Sequence, residues 1–154
     1  RAAERLTERA EASGLELRMR PGPNLERRPG VGPLPRAFVD IRMLHQLTPE
    51  LSEDVAAAKG VVFLDARANG LPGEIRVSPV VPGGESSPLA HSVAPSTLLA
   101  LGLHLYGRTP PALLVTVTGE VFDLGEGLSA IVESSVETAV DRVVTAVMHW
   151  NVTL

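Results

Sequence analysis

Asp65 ends the run Val61-Val62-Phe63-Leu64, four apolar residues leading straight into a carboxylate. His91 stands just ahead of a helical pattern that begins near Ser96, and His45-Gln46 follows a strand-like segment from Phe38 to Leu44. A short continuous apolar run suits a strand buried on both faces of a parallel sheet. Its acid then lies at the carboxyl end, where open α/β sheets bind their ligands. Strand-end and helix-start loops share one rim of such a sheet, so Asp65, His91 and His45 are expected to converge there. A carboxylate with an imidazole suits a borderline divalent ion such as Zn or Ni better than Mg. It suits general acid–base chemistry equally well. A plain structural role stays open too, because an Asp at a strand end also caps a loop or accepts its hydrogen bonds.

Other constellations are absent from the sequence. There is no Gly-x-Ser-x-Gly elbow, no phosphate loop ending in Gly-Lys-Ser or Gly-Lys-Thr, and no His-Glu-x-x-His. Gly119-Glu120 and Gly125-Glu126-Gly127 form a glycine-rich but acidic stretch that would repel phosphate, and it reads as a structural loop. Without cysteine there are no disulfides, thiolate metal sites or thiol nucleophiles. That fits a reducing compartment, and a cytoplasmic location is the expectation.

The frame that must position these residues is a single domain. A chain of 154 residues with 44% apolar content can bury one core. Aromatics are only 3%, so Val, Leu, Ala and Ile must fill that core, and stacking platforms for single-stranded nucleic acid are lacking. The net charge of -4, with no dense basic stripe, argues further against nucleic acid. Arg18, Arg20, Arg27 and Arg28 form a local basic patch that reads as solvated loop. No stretch approaches the roughly 20 apolar residues that span a bilayer, so no membrane partner is expected.

Residues 1–13 carry a helical composition closed by Gly14, and Leu15 to Met19 alternates as a strand does. Five prolines and three glycines between 21 and 36 preclude a regular element there. Phe38 to Leu44 reads as a strand. Thr48-Pro49-Glu50 then starts a helix, with Thr48 as N-cap, that runs to about Ala58. With the strand at 61–65 this makes a βαβ crossover. Glu74 to Pro79 is a further strand, Ser96 to Tyr106 a well-covered leucine-rich helix, and Ala112 to Val117 another apolar strand. A last helix from about Ser129 to Met148 shows a valine stripe at spacings of three and four. The alternation specifies an α/β fold in three layers, αβα, with a mostly parallel twisted sheet of about five strands.

Several of these segments resemble one family, the [NiFe] hydrogenase maturation endopeptidases. The likeness lies in Val62 to Ala66, in His91 to Leu99, and in the run from Val115 through Gly119-Glu120 and Gly125-Glu126-Gly127 to Ser129. His45-Gln46-Leu47-Thr48-Pro49-Glu50-Leu51 and Leu105-Tyr106-Gly107 resemble the branch that serves soluble, cofactor-reducing hydrogenases. The resemblance covers residues 38–147 in order and implies a phosphorylase/hydrolase-like fold. It also implies an aspartic-type, metal-dependent endopeptidase that removes a C-terminal peptide from the hydrogenase large-subunit precursor after nickel insertion. The nickel is supplied by the substrate, no organic cofactor is needed, and a monomer is expected. Family members hold the metal with three groups: an acid in an N-terminal Gly-Asn…Asp-Asp/Glu-Gly loop, the Asp ending a buried strand, and a His before a later helix. The second maps to Asp65 and the third to His91.

The acidic loop itself does not occur in residues 1–154. Ala2-Ala3-Glu4-Arg5-Leu6 resembles the family's first helix, which places the first strand and acidic loop upstream of Arg1 and makes 14–37 an insertion. Alternatively, Gly22 to Pro33 is that loop in altered form, with Arg28 and Pro29 where the acids belong. The missing acid keeps a second functional class in view, a non-catalytic homologue that binds the precursor or its maturation partners. A third is another small α/β hydrolase on the same fold.

Overall fold

The computed structural model describes residues 4, 5, 8, 12, 16–21, 38–83, 93–122 and 127–152. Five strands form two ladders. β1 (Glu16–Pro21) and β2 (Phe38–Met43) pair in parallel, from Glu16 opposite Phe38 to Pro21 opposite Met43. β3 (Val61–Arg67), β4 (Ile75–Val80) and β5 (Ala112–Thr118) make a mixed sheet in the order β3-β5-β4. β5 runs parallel to β3 and antiparallel to β4.

Helices cover both faces, which gives the expected three-layer α/β arrangement. A 3-10 turn at Pro49–Leu51 leads directly into α1 (Ser52–Ala57). α1 and α2 (Pro95–Tyr106) share one face of the sheet, where Leu51, Val55, Leu98, Leu99 and Ala112 form a core flanked by Val61, Phe63 and Val80. α3 (Ala130–Val152) covers the other face. There its stripe of Val136, Ala139, Val140 and Val143 closes on Val115, with Val62, Ile75, Val117 and Ile41 around it. Leu98, Leu99 and Val115 are fully buried, and each contributes roughly 1.5–3 kcal/mol. The ends of α2 follow the sequence signals. Pro95 sits in the first turn, and Gly107, at φ 67°, donates its N–H to the Leu103 carbonyl at 2.9 Å.

Four expectations need correction. The strand carrying Asp65 continues through Ala66 and Arg67, paired with Val117 and Thr118. It is not buried on both faces either, because Leu64, Asp65 and Ala66 are exposed. β3 lies at the edge of its sheet, and α1, about 9 Å long, is too short to cover a strand of about 23 Å. Secondly, β2, α1 and β3 follow in order, but β2 pairs with β1 and not with β3. Apolar patterning makes a strand without specifying which neighbour completes its ladder. Thirdly, Thr48 has the extended backbone of an N-cap (φ -126°, ψ 153°) but makes no side-chain cap, and its carbonyl accepts the Leu51 N–H instead. Lastly, α2 is only partly covered: Leu98, Leu99 and Gly102 are buried against α1, while Leu103, Leu105 and Tyr106 are exposed.

Two contacts fasten α3. Arg5 forms ion pairs with Glu133 and Glu137. Trp150, the sole tryptophan, lays its indole over Gly60 in the turn between α1 and β3. A β-carbon on Gly60 would lie 2.5 Å from Cδ2 and 2.7 Å from Cζ3 of the ring.

Candidate active site

Side chains alternate along β3, so Asp65 points to the same face as Val61 and Phe63, the face covered by α1 and α2. It lies beyond the apolar cover of that face and is exposed. Asp65 Oδ1 accepts the N–H of Ala66 at 2.8 Å. That local bond fixes one carboxylate oxygen and leaves the other without a hydrogen-bond partner among the described residues. Asp65 stands opposite Thr116 of β5, and Thr116 stands opposite Arg76 of β4.

One step further along the strands lies a compact polar network that sequence reasoning did not find. The Arg67 guanidinium reaches across β5 and donates to Thr118 Oγ1 from Nη2 at 2.6 Å and from Nε at 3.2 Å. The same Nη2 donates to Glu74 Oε2 at 2.9 Å. Arg76 Nε donates to Glu74 Oε1, also at 2.9 Å. Thr118 is fully buried, so its hydroxyl is a fixed anchor, and the charge-assisted bond to it belongs to the stronger class. The hydrogen bond from Arg76, joined by the positive charges of Arg76 and Arg67, holds the Glu74 carboxyl below its usual range. Backbone bonds lock the same corner. Gly119 N–H donates to the Arg67 carbonyl at 2.9 Å, Thr118 N–H to the Glu74 carbonyl at 2.9 Å, and Gly73 N–H to the Thr118 carbonyl at 2.8 Å. Gly70 closes over the network at φ 129°, where a β-carbon would come 2.7 Å from Glu74 Oε2 and 2.8 Å from Arg67 Nη2.

The other predicted site residues are placed less fully. His45 and Gln46 are exposed in the loop after β2. The Val93 N–H donates to the Leu47 carbonyl of that loop at 3.4 Å, which ties the start of α2 to the segment following His45. His91 lies outside the described residues, as does the 22–33 stretch proposed as an altered acidic loop. Among the described residues no three His, Asp or Glu side chains gather closely enough to hold a metal ion. Asp65 and His45 therefore do not form a metal centre with a third described residue. Asp65 by itself offers a hard oxygen donor compatible with a divalent ion. A cavity of about 350 Å³ between Arg5, Glu8 and Ala12 and the α3 residues Glu137, Val140 and Asp141 includes none of these residues.

No family model matches the chain, and no curated protein matches it in sequence. Solved structures do match. The hydrogenase maturating endopeptidase HybD from E. coli superposes with a TM-score of 0.53 at 23% identity, over 73% of this chain and 71% of that one. The [NiFe] hydrogenase maturation protease HycI from Thermococcus kodakarensis KOD1 superposes with a TM-score of 0.56 at 13% identity, over 96% of this chain and 82% of that one. The fold is that of the hydrogenase maturation endopeptidases. A solution structure of an endopeptidase from Escherichia coli matches as well, with a TM-score of 0.53 at 22% identity over 75% of this chain and 74% of that one. In this maturation-endopeptidase fold, β3 carries Asp65 to an exposed edge beside a network that holds neighbouring charges in place. Among the described residues, no helix is long and apolar enough to cross a membrane.

Proposed function

We propose that this chain belongs to the [NiFe] hydrogenase maturation endopeptidases and cleaves a C-terminal peptide from a hydrogenase large-subunit precursor that already carries nickel. The observation carrying this reading is Asp65: among the described residues, a carboxylate with one free oxygen and no cationic partner, on β3 of a fold shared with solved maturation endopeptidases. A surface acid beside two arginines has every electrostatic reason to pair. One left unpaired is available to a ligand. In the proposed reaction Asp65 and His91 contact the nickel of the precursor, so recognition depends on metal loading. Bound nickel polarises the scissile carbonyl or the attacking water. Water adds to the carbonyl carbon, the C–N bond breaks, and the proton passes to the leaving amine. The resemblance of His45 to Leu51 and of Leu105 to Gly107 supports a substrate of the soluble, cofactor-reducing type.

The test is to incubate the protein with nickel-loaded and nickel-free precursor and follow the loss of the C-terminal peptide by mass spectrometry. Cleavage of the loaded precursor alone, abolished in Asp65→Ala and His91→Ala, is the expected result. Equal cleavage by wild type and Asp65→Ala overturns the reading. Stable capture of the precursor without cleavage by wild type replaces it with a binding module.

A further inference from the structure

Three acid-x-arginine triplets with described side chains lie in or at the start of the strands: Asp40-Ile41-Arg42, Asp65-Ala66-Arg67 and Glu74-Ile75-Arg76, the last with Glu74 just ahead of β4. Residues two apart on a strand share a face, so each triplet sets an acid and an arginine within mutual reach. Two of the triplets are closed. Arg42 Nη2 lies 3.0 Å from Asp40 Oδ2, and Arg76 Nε lies 2.9 Å from Glu74 Oε1. The third, which contains Asp65, is open. Arg67 turns instead to Thr118 and Glu74, and among the described residues Asp65 is left with the Ala66 N–H.

We infer that Glu74 and Thr118 act as positioning residues that withhold the Arg67 guanidinium from Asp65 and so keep that carboxylate open to a metal-bearing substrate. The inference rests on the proposed function for the identity of the ligand, but the geometry behind it does not. Thr118 is fully buried and cannot follow Arg67 if the side chain swings away. Glu74 is itself gripped from the far side by Arg76, so its carboxylate stays where Arg67 meets it. Once an anchor is removed, the nearest remaining acid on the Arg67 strand is Asp65, at a spacing this molecule bridges twice elsewhere. An arginine seated on Asp65 would occupy the carboxylate's lone pairs. It would also place a positive charge where a divalent ion has to approach.

The experiment compares wild type with Glu74→Ala, Thr118→Val and the double variant Arg67→Met/Glu74→Ala, in crystal structures and in kcat/KM on nickel-loaded precursor. In Glu74→Ala the guanidinium is expected within about 4 Å of the Asp65 carboxylate, with kcat/KM reduced by about fivefold or more. Thr118→Val, a near-isosteric change at a buried position, is expected to move Arg67 the same way with a smaller loss. It decides the matter should Glu74→Ala fold poorly. The double variant is expected to recover to within about twofold of wild type, because the blocking cation is gone. A purely structural staple would instead lose more with each deletion. Arg67 remaining on Thr118 in Glu74→Ala, or a double variant no more active than Glu74→Ala, overturns the inference. If wild type cleaves nothing, the peptidase reading fails, and the position of Arg67 in the Glu74→Ala crystals still decides this one.

Discussion

Gly60→Ala is a sharp test of how α3 is docked. Gly60 has no left-handed backbone conformation, so an alanine there meets no dihedral penalty. On that ground alone the substitution would stabilise the fold by about 0.4–1 kcal/mol through the unfolded chain. Against this stands the Trp150 indole, which a new β-carbon would meet at 2.5 Å from Cδ2 and 2.7 Å from Cζ3. These are atoms of a rigid ring, so the whole indole must lift away. Overpacking of this kind costs typically about 1–3 kcal/mol, which leaves a net loss of roughly 1–2 kcal/mol. For a domain of this size the expected fall in Tm is about 3–6 °C. Because Trp150 is the sole tryptophan, its emission reports the displacement directly. A red shift in the native state should accompany the lower urea midpoint. In a Trp150→Leu background the same Gly60→Ala change should cost about 1 kcal/mol less, since the two residues share one contact. A raised Tm with unshifted emission, or strict additivity in the cycle, would refute the reasoning.

Two further outcomes follow from the core and the polar corner. Leu99→Ala removes a fully buried side chain between α2 and the sheet and should cost about 2–5 kcal/mol, measured by urea unfolding. Glu74, whose folded pKa lies below its usual 4.5 chiefly through the Arg76 hydrogen bond, contributes stability that is present above that pH. The contribution is lost as pH falls through the folded pKa. Glu74→Gln should therefore show a shallower loss of stability than wild type as pH drops below 4.5, with parallel curves that far above it. Identical acid limbs would remove Glu74 from the set of linked groups.

Much of this fold was legible from periodicity and punctuation. The valine stripe of α3 marked its buried face, and the leucine-rich run from Ser96 to Tyr106 marked α2. Val61 to Leu64 was recognisable as a strand because it is continuous, apolar and short. The partner of β2 was not legible, because nothing in Phe38 to Met43 encodes which neighbouring edge it will pair with. Nor was the exposure of Asp65, which depends on the reach of a one-and-a-half-turn helix and not on the strand's own residues. At the site, Asp65 could be singled out because a carboxylate closing an apolar run stands out locally. Arg67, Glu74 and Thr118 could not be found that way. Arg67 and Thr118 meet across 51 residues of chain, and threonine in an apolar strand reads as an ordinary β-former. The repeated acid-x-arginine triplet was the available signal, and it carries meaning only once two copies are seen closed and one open.

The place of β5 in the sheet has a consequence for biosynthesis. β3 and β4 are neighbours in sequence but leave a strand-wide gap between them, which β5 fills from much later in the chain. They cannot zip together as a hairpin when they leave the ribosome. The loops closed by β5 are long, so their entropy cost falls before any ladder is gained. Until residues 112–118 have emerged, Asp65 sits on a strand without the partner that forms its floor, and an apolar strand with open edges invites wrong pairing. A nascent chain arrested before Thr118 should thus hold an unformed site and a demand for chaperone cover. Completion of β5 is the step that closes both ladders and forms the Asp65 corner together.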